Sequence, residues 1–183
     1  MGEIQPQRPV LLIAAVSSRY ESAIEEWTRE KSQAAWGQIC LESPLFDFTE
    51  TNFYTASMGE DLKKKFFAYE KLLPPEDLPD TKILSNELEQ LYADSCDHPE
   101  SRPLNIDTGY ITEAKLVLAT TKDRDHRIYL RDGIFAEITL HYSQQQWIKS
   151  RWTYPDYQRD DFHSYFTSCR EYLRQRYRDG TNS

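Results

Sequence analysis

The sequence predicts an α+β domain, a ferredoxin-like βαββαβ core with an added β-hairpin and a C-terminal helix. An open α/β sheet is the alternative arrangement. Three observations lead there. Residues 9–16 (PVLLIAAV) form an unbroken apolar run, the pattern of a strand buried on both faces, with a helical pattern close behind. Two β-rich runs flank Asp132-Gly133, a strong hairpin signal. Phe162, Tyr165, Phe166, Cys169, Tyr172 and Leu173 make a stripe at helical spacing, so one face of a final helix packs on a sheet.

The other elements follow in chain order. A helix spans residues 20–36, with Ile24, Trp27, Ala34 and Ala35 on one face and Gly37 as its C-terminal cap. Residues 39–48 read as a second strand, and Pro44 within it marks an edge or a bulge. Residues 63–72 (KKKFFAYEKL) read as a strand ended by Pro74-Pro75, after which a helix runs over 75–92 with Leu84, Leu88 and Leu91 aligned. Residues 94–103 form a loop and 104–111 a strand, while 113–121 fits a short helix or a strand. The hairpin takes 126–130 and 134–142, and the last helix begins at Asp160. With no internal repeat and no long linker, 183 residues make one domain, with 1–8 and 179–183 as flexible ends.

Bulk properties exclude several functions. A net charge of -8, with both signs interspersed, repels phosphate backbones, so bulk nucleic-acid binding is not expected. The longest apolar run is too short to span a bilayer, and the N-terminus lacks the layout of a signal peptide. Cys40, Cys96 and Cys169 are odd in number and widely spaced, which argues against a disulfide framework. A cytoplasmic protein without membrane partners is the expectation.

The motifs exclude further chemistry. None of the six glycines opens a phosphate loop or a dinucleotide fingerprint. A two-histidine phosphoesterase needs two H-x-[ST] motifs, and His141-Tyr142-Ser143 supplies one; His163-Ser164-Tyr165 does not fit. His163 and Cys169 point about 120° apart on a helix, and Cys169 lies on the apolar stripe, so no metal site is expected.

What remains is a set of polar candidates. Lys122, His126 and Arg127 in the densest charged segment can grip a phosphate or carboxylate, with His126 able to move protons near neutral pH. The same run also reads as a solvated link into the hairpin. Asp107, Tyr110 and Glu137 are candidate partners, with His126, Asp107 and Glu137 as the candidate catalytic set. Ser17 and Ser18 stand between strand and helix, where an anion can bind or a cap suffices. The segment WTYPDY (residues 152–157) is a ring cluster over a strand end or a stacking wall.

Several blocks carry a resemblance: PVLLIAAVSS, SPLFDFTETNFY, MGEDLKKKFFAYEKL, TKILSNELE, NIDTGYITEAKLVLATTKDRDHRIYLRDGIFAEITLHY and WTYPDY. Over residues 9–176 the chain resembles the bacterial family catalogued as domain of unknown function 4416. The resemblance implies a small cytosolic bacterial protein and assigns no activity, cofactor or catalytic residue. Some members carry a GTP-binding label, but a phosphate loop and a guanine-reading N-K-x-D are both absent here. Two functions are therefore weighed: a domain binding or acting on a small phosphorylated or anionic ligand, and a non-enzymatic interaction module using the aromatic C-terminal region.

Overall fold

The computed structural model describes residues 2–50 and 54–180. The expected flexible ends, 1–8 and 179–183, thus fall partly outside the described residues. The described strands are β1 (Leu11–Ser18), β2 (Ile39–Glu42), β3 (Phe46–Asp47), β4 (Lys63–Tyr69), β5 (Asn105–Ile111), β6 (Lys115–Thr120), β7 (Ile128–Arg131), β8 (Ile134–Ser143) and β9 (Gln146–Lys149). The helices are α1 (Arg29–Trp36), α2 (Thr55–Met58), α3 (Leu78–Ser95) and α4 (Asp160–Arg178). The chain is a mixed α+β protein built on one large sheet in the order β2-β4-β1-β5-β6-β8-β7, with β3 against β4 and β9 against β8. Every pairing between these strands is antiparallel, which sets aside a parallel open α/β sheet.

Period-two alternation divides each central strand between two cores. Leu11, Ile13 and Ala15 of β1 face α4, where Phe162, Phe166, Cys169 and Leu173 are fully buried as the stripe predicts. Burying each large apolar side chain of that stripe contributes about 2 kcal/mol. Val10, Leu12, Ala14 and Val16 face the other way, against α1 and α3.

Three expectations need correction. Ala34 and Ala35 are exposed, and the buried positions are Ala23, Ile24, Thr28, Ser32 and Trp36. A π-helical turn over Ala23–Thr28 precedes α1; its wider winding rotates the apolar face away from the 3.6-residue register. Leu91 of α3 is 51% exposed, while Thr81, Lys82 and Ser85 are buried. The single strand expected over 39–48 is split into β2 and β3 around Ser43-Pro44-Leu45. The ambiguous 113–121 segment is strand β6, and the Asp132-Gly133 turn has both φ angles positive, +53° and +75°, as a tight hairpin requires. A second hairpin, β8–β9, turns through Gln144 and Gln145, also at positive φ (+49° and +63°).

Two irregularities shape the sheet. Strand β5 pairs with β1 along its whole length but with β6 only at Gly109–Leu118, Tyr110–Val117 and Ile111–Leu116. The two strands therefore fork beyond Gly109. Strand β8 is bulged around Thr139, where its register against β6 shifts. At the fork a Cβ on Gly109 would sit 2.4 Å from the Val117 carbonyl oxygen and 2.6 Å from a Leu118 methyl. Gly109→Ala is expected to destabilise the protein by about 1–3 kcal/mol, as overpacking does. Urea unfolding measures this, and an unchanged midpoint would show that β6 gives way freely.

Candidate functional site

The fork opens a cavity of about 450 Å³ that is lined by Lys64, Asn105 and Asp107 of the sheet and, through the gap between the strands, by Lys82 and Asn86 of α3. Alternation brings its floor together: Lys64 pairs across β1 with Ser17, and Ser17 pairs with Asn105 on the far side. Asp107 follows two residues along β5 on the same face, and Glu137 of β8 lies opposite Leu118 of β6. The walls are the 152–158 segment and the residues Phe48, Glu50 and Tyr54.

Each wall is fixed by identifiable bonds. Strand β7 pairs with β8 only as far as Ala136 and β9 only from Leu140, and in the gap between them Trp152 Nε1 donates to Ile138 O at 3.3 Å while Thr153 Oγ1 donates to Thr139 O at 2.6 Å. This docks the 152–158 segment on the bulge. Lys64 Nζ meets Asp156 Oδ2 at 2.5 Å, with both side chains buried, and lies 4.0 Å from the centre of the Phe48 ring. One ammonium thus joins β4 to both walls.

The fork exposes polar backbone on β5, and α3 answers it. Lys82 Nζ donates to Ile106 O at 3.0 Å and to Asp107 Oδ1 at 3.1 Å, and Glu89 Oε1 accepts from the Ile106 N–H at 2.7 Å. Arg102 donates to Glu89 at 2.8 Å and also to the side-chain Oδ1 of Asn105, whose Nδ2 donates to Asp107 Oδ2 at 2.9 Å. The polar positions that depart from an ideal amphipathic α3 are therefore placed to serve the split sheet.

Among the described residues the cavity wall holds six cations, Lys64, Lys82, Arg102, Lys122, Arg124 and Arg127, against four carboxylates, Glu50, Asp107, Glu137 and Asp156. Arg127 donates to Glu137 Oε2 at 2.7 Å, to Tyr154 Oη at 2.8 Å and to Lys122 O at 2.8 Å. Arg124 is exposed at the rim and makes no ion pair among the described residues. Burial alone would raise the Asp107 carboxyl, but the Lys82 charge, the Asn105 amide and the Lys64 charge outweigh it and bring it down to about 2. Burial pushes the Tyr157 phenol well above its ordinary value and Tyr54 to about 12, so both stay neutral.

The sequence-predicted residues are distributed unevenly around this cavity. Asp107, Glu137, Lys122 and Arg127 line it. His126 stands behind Glu137, 3.2 Å from its Oε2, and stacks on Trp152 at 5.1 Å rather than lining the cavity. Tyr110 sits on the opposite sheet face, since alternation from Asp107 turns it towards α3. Ser18 is also on that face and is used structurally, donating to Pro103 O at 2.7 Å and accepting from the Tyr20 N–H. Ser17 lies between Lys64 and Asn105, buried, outside the cavity lining and without a hydrogen-bond partner among the described residues. Lys64, Lys82 and Arg102 were not legible as site residues. The signal for Lys82 is a polar run, Thr81, Lys82 and Ser85, on a helix face that leaves Leu91 exposed.

Other candidates fall away. His163 Nε2 is engaged 2.8 Å from Tyr157 O, and burial pushes the Cys169 thiol to about 12, an unreactive core group. No group of three or more potential metal ligands occurs among the described residues.

The Asp107 shift gives a testable consequence. Its folded pKa, about 2, lies below the ordinary 3.8, so the unfolded chain binds more protons between those values. The stabilisation is present above about pH 4 and is lost as pH falls through 2. Asp107→Asn is expected to cost about 1–2 kcal/mol near neutral pH, discounted for the solvent reaching the cavity. The gap from wild type should close in acid; a gap independent of pH in urea titrations contradicts the assignment.

Comparison with curated proteins and with solved structures finds no match. One family model matches residues 8–172, which covers the described sheet and all but the last turns of α4. The chain therefore belongs to the family described as domain of unknown function (DUF4416).

Proposed function

We propose that the chain binds a small phosphorylated or otherwise anionic compound in the cavity between β5, β6 and the 152–158 segment. The carrying observation is the charge of the lining, where cations outnumber carboxylates in a chain of net charge -8. Lys122 and Arg124 are exposed at the rim, with the Arg127 side chain buried beneath them, and Arg124 has no internal carboxylate among the described residues to satisfy it. A guanidinium in that setting suits bidentate capture of a phosphate or carboxylate.

The reading is one of binding rather than proton transfer. Asp107 is held ionised by cations, Glu137 is engaged by Arg127, and His126 lies outside the lining. The alternative of an aromatic docking module has less support. Tyr157, Phe162, Tyr165 and Phe166 are buried, and the half-exposed Trp152 and Tyr154 are held by His126 and Arg127.

Two finer readings accompany this one. The partial order β2-β4-β1-β5, all antiparallel, with α1 and α3 against the same face, supports the ferredoxin-like core. Three free cysteines suit a reducing, cytoplasmic compartment. Among the described residues no helix is long and apolar enough to cross a membrane.

Titration with inorganic phosphate, phosphate esters and small carboxylates, followed by calorimetry and thermal unfolding, tests the proposal. Saturable stabilisation that weakens with added salt is expected. Arg124→Ala, at an exposed rim position, should weaken binding about tenfold and leave the unliganded midpoint in place. If no anion of these classes shifts the midpoint at millimolar concentration, the proposal is wrong.

A further inference from the structure

We infer that the anion is carried on a polyhydroxylated body, a sugar or polyol phosphate, whose hydroxyls fill the inner end of the same cavity. The inference rests on the anion-binding reading and specifies what surrounds the anionic group.

The inner end differs from the rim in its charge. There Lys64 is matched by Asp156 at 2.5 Å and Lys82 by Asp107 at 3.1 Å. A second anionic group seated among these pairs would meet two carboxylates already in place. A plain hydrocarbon body would instead bury their remaining hydrogen-bonding capacity against apolar surface, which is costly. The inner end thus suits groups that are neutral and polar.

One hydroxyl narrows the choice. The Tyr157 hydroxyl is buried in a cavity-lining residue only 3% exposed, and no hydrogen bond reaches it among the described residues. Buried hydroxyls are nearly always paired, so an orphan in the cavity wall points to a ligand hydroxyl as its partner. An alcohol both donates and accepts, so it can accept from Tyr157 Oη–H and donate to a carboxylate such as Asp107. The cavity, about 450 Å³, falls in the range of small-molecule sites and leaves room beyond a single phosphate.

The test compares four probes by calorimetry: ethyl phosphate, glycerol 3-phosphate, ribose 5-phosphate and glucose 6-phosphate. At least one of the three hydroxylated esters is expected to bind about tenfold tighter than ethyl phosphate. Tyr157→Phe should remove most of that advantage, leave ethyl phosphate binding unchanged and keep or raise the unliganded unfolding midpoint. A structural role for the hydroxyl would lower the midpoint instead. If ethyl phosphate binds as tightly as all three esters, or Tyr157→Phe weakens all probes equally, the inference is overturned and the anion reading stands. If neither these probes nor inorganic phosphate and small carboxylates bind, both fall together.

Discussion

The parting of β6 from β5 beyond the Gly109–Leu118 pair is the constraint on which the rest of the molecule depends. A sheet that stayed zipped would leave no room for side chains between these strands. Once they part, the Ile106 amide and carbonyl need partners, and α3 supplies Glu89 and Lys82. Those two polar groups oblige α3 to bury polar positions, which in turn sets how the helix lies on the sheet. The residue at the fork is a glycine because the β6 backbone comes too close for any Cβ.

Retaining so many buried charges is not the most stable solution for a domain of this size, since apolar replacements of similar volume often do as well or better. The charges are held in a graded arrangement instead. Deep pairs such as Lys64–Asp156 neutralise one another and tie the walls to the sheet, whereas the rim cation Arg124 is left to solvent. Unmatched positive charge thus stands at the mouth of the cavity, and matched charge stands inside it.

Much of this architecture is written locally and could be read. The apolar run of β1, the Asp-Gly hairpin and the α4 stripe each depend on near neighbours in the chain, and each appears where its pattern lies. Asp107, Glu137, Lys122 and Arg127 were accessible for the same reason, as polar residues crowded beside apolar strands. Lys64, Lys82 and Arg102 were not, because their roles arise from pairings between distant segments. Lys64 is 92 positions from Asp156, and nothing in KKKFF distinguishes it from its neighbours. The π-helical turn before α1 and the Gln144-Gln145 hairpin were hidden because neither carries the usual local residues. Tyr110 and Ser18 stand away from the cavity for one reason, the side of the sheet that alternation gives them.

The bond from the Ile106 N–H to Glu89 has one more consequence. Most amides in the middle of a sheet exchange with solvent only when strands separate. This one is sealed by a helix side chain, so its exchange follows the lifting of α3 and not the opening of the sheet. A single backbone amide therefore acts as a built-in gauge of helix docking, separable in time from the melting of the strands on either side.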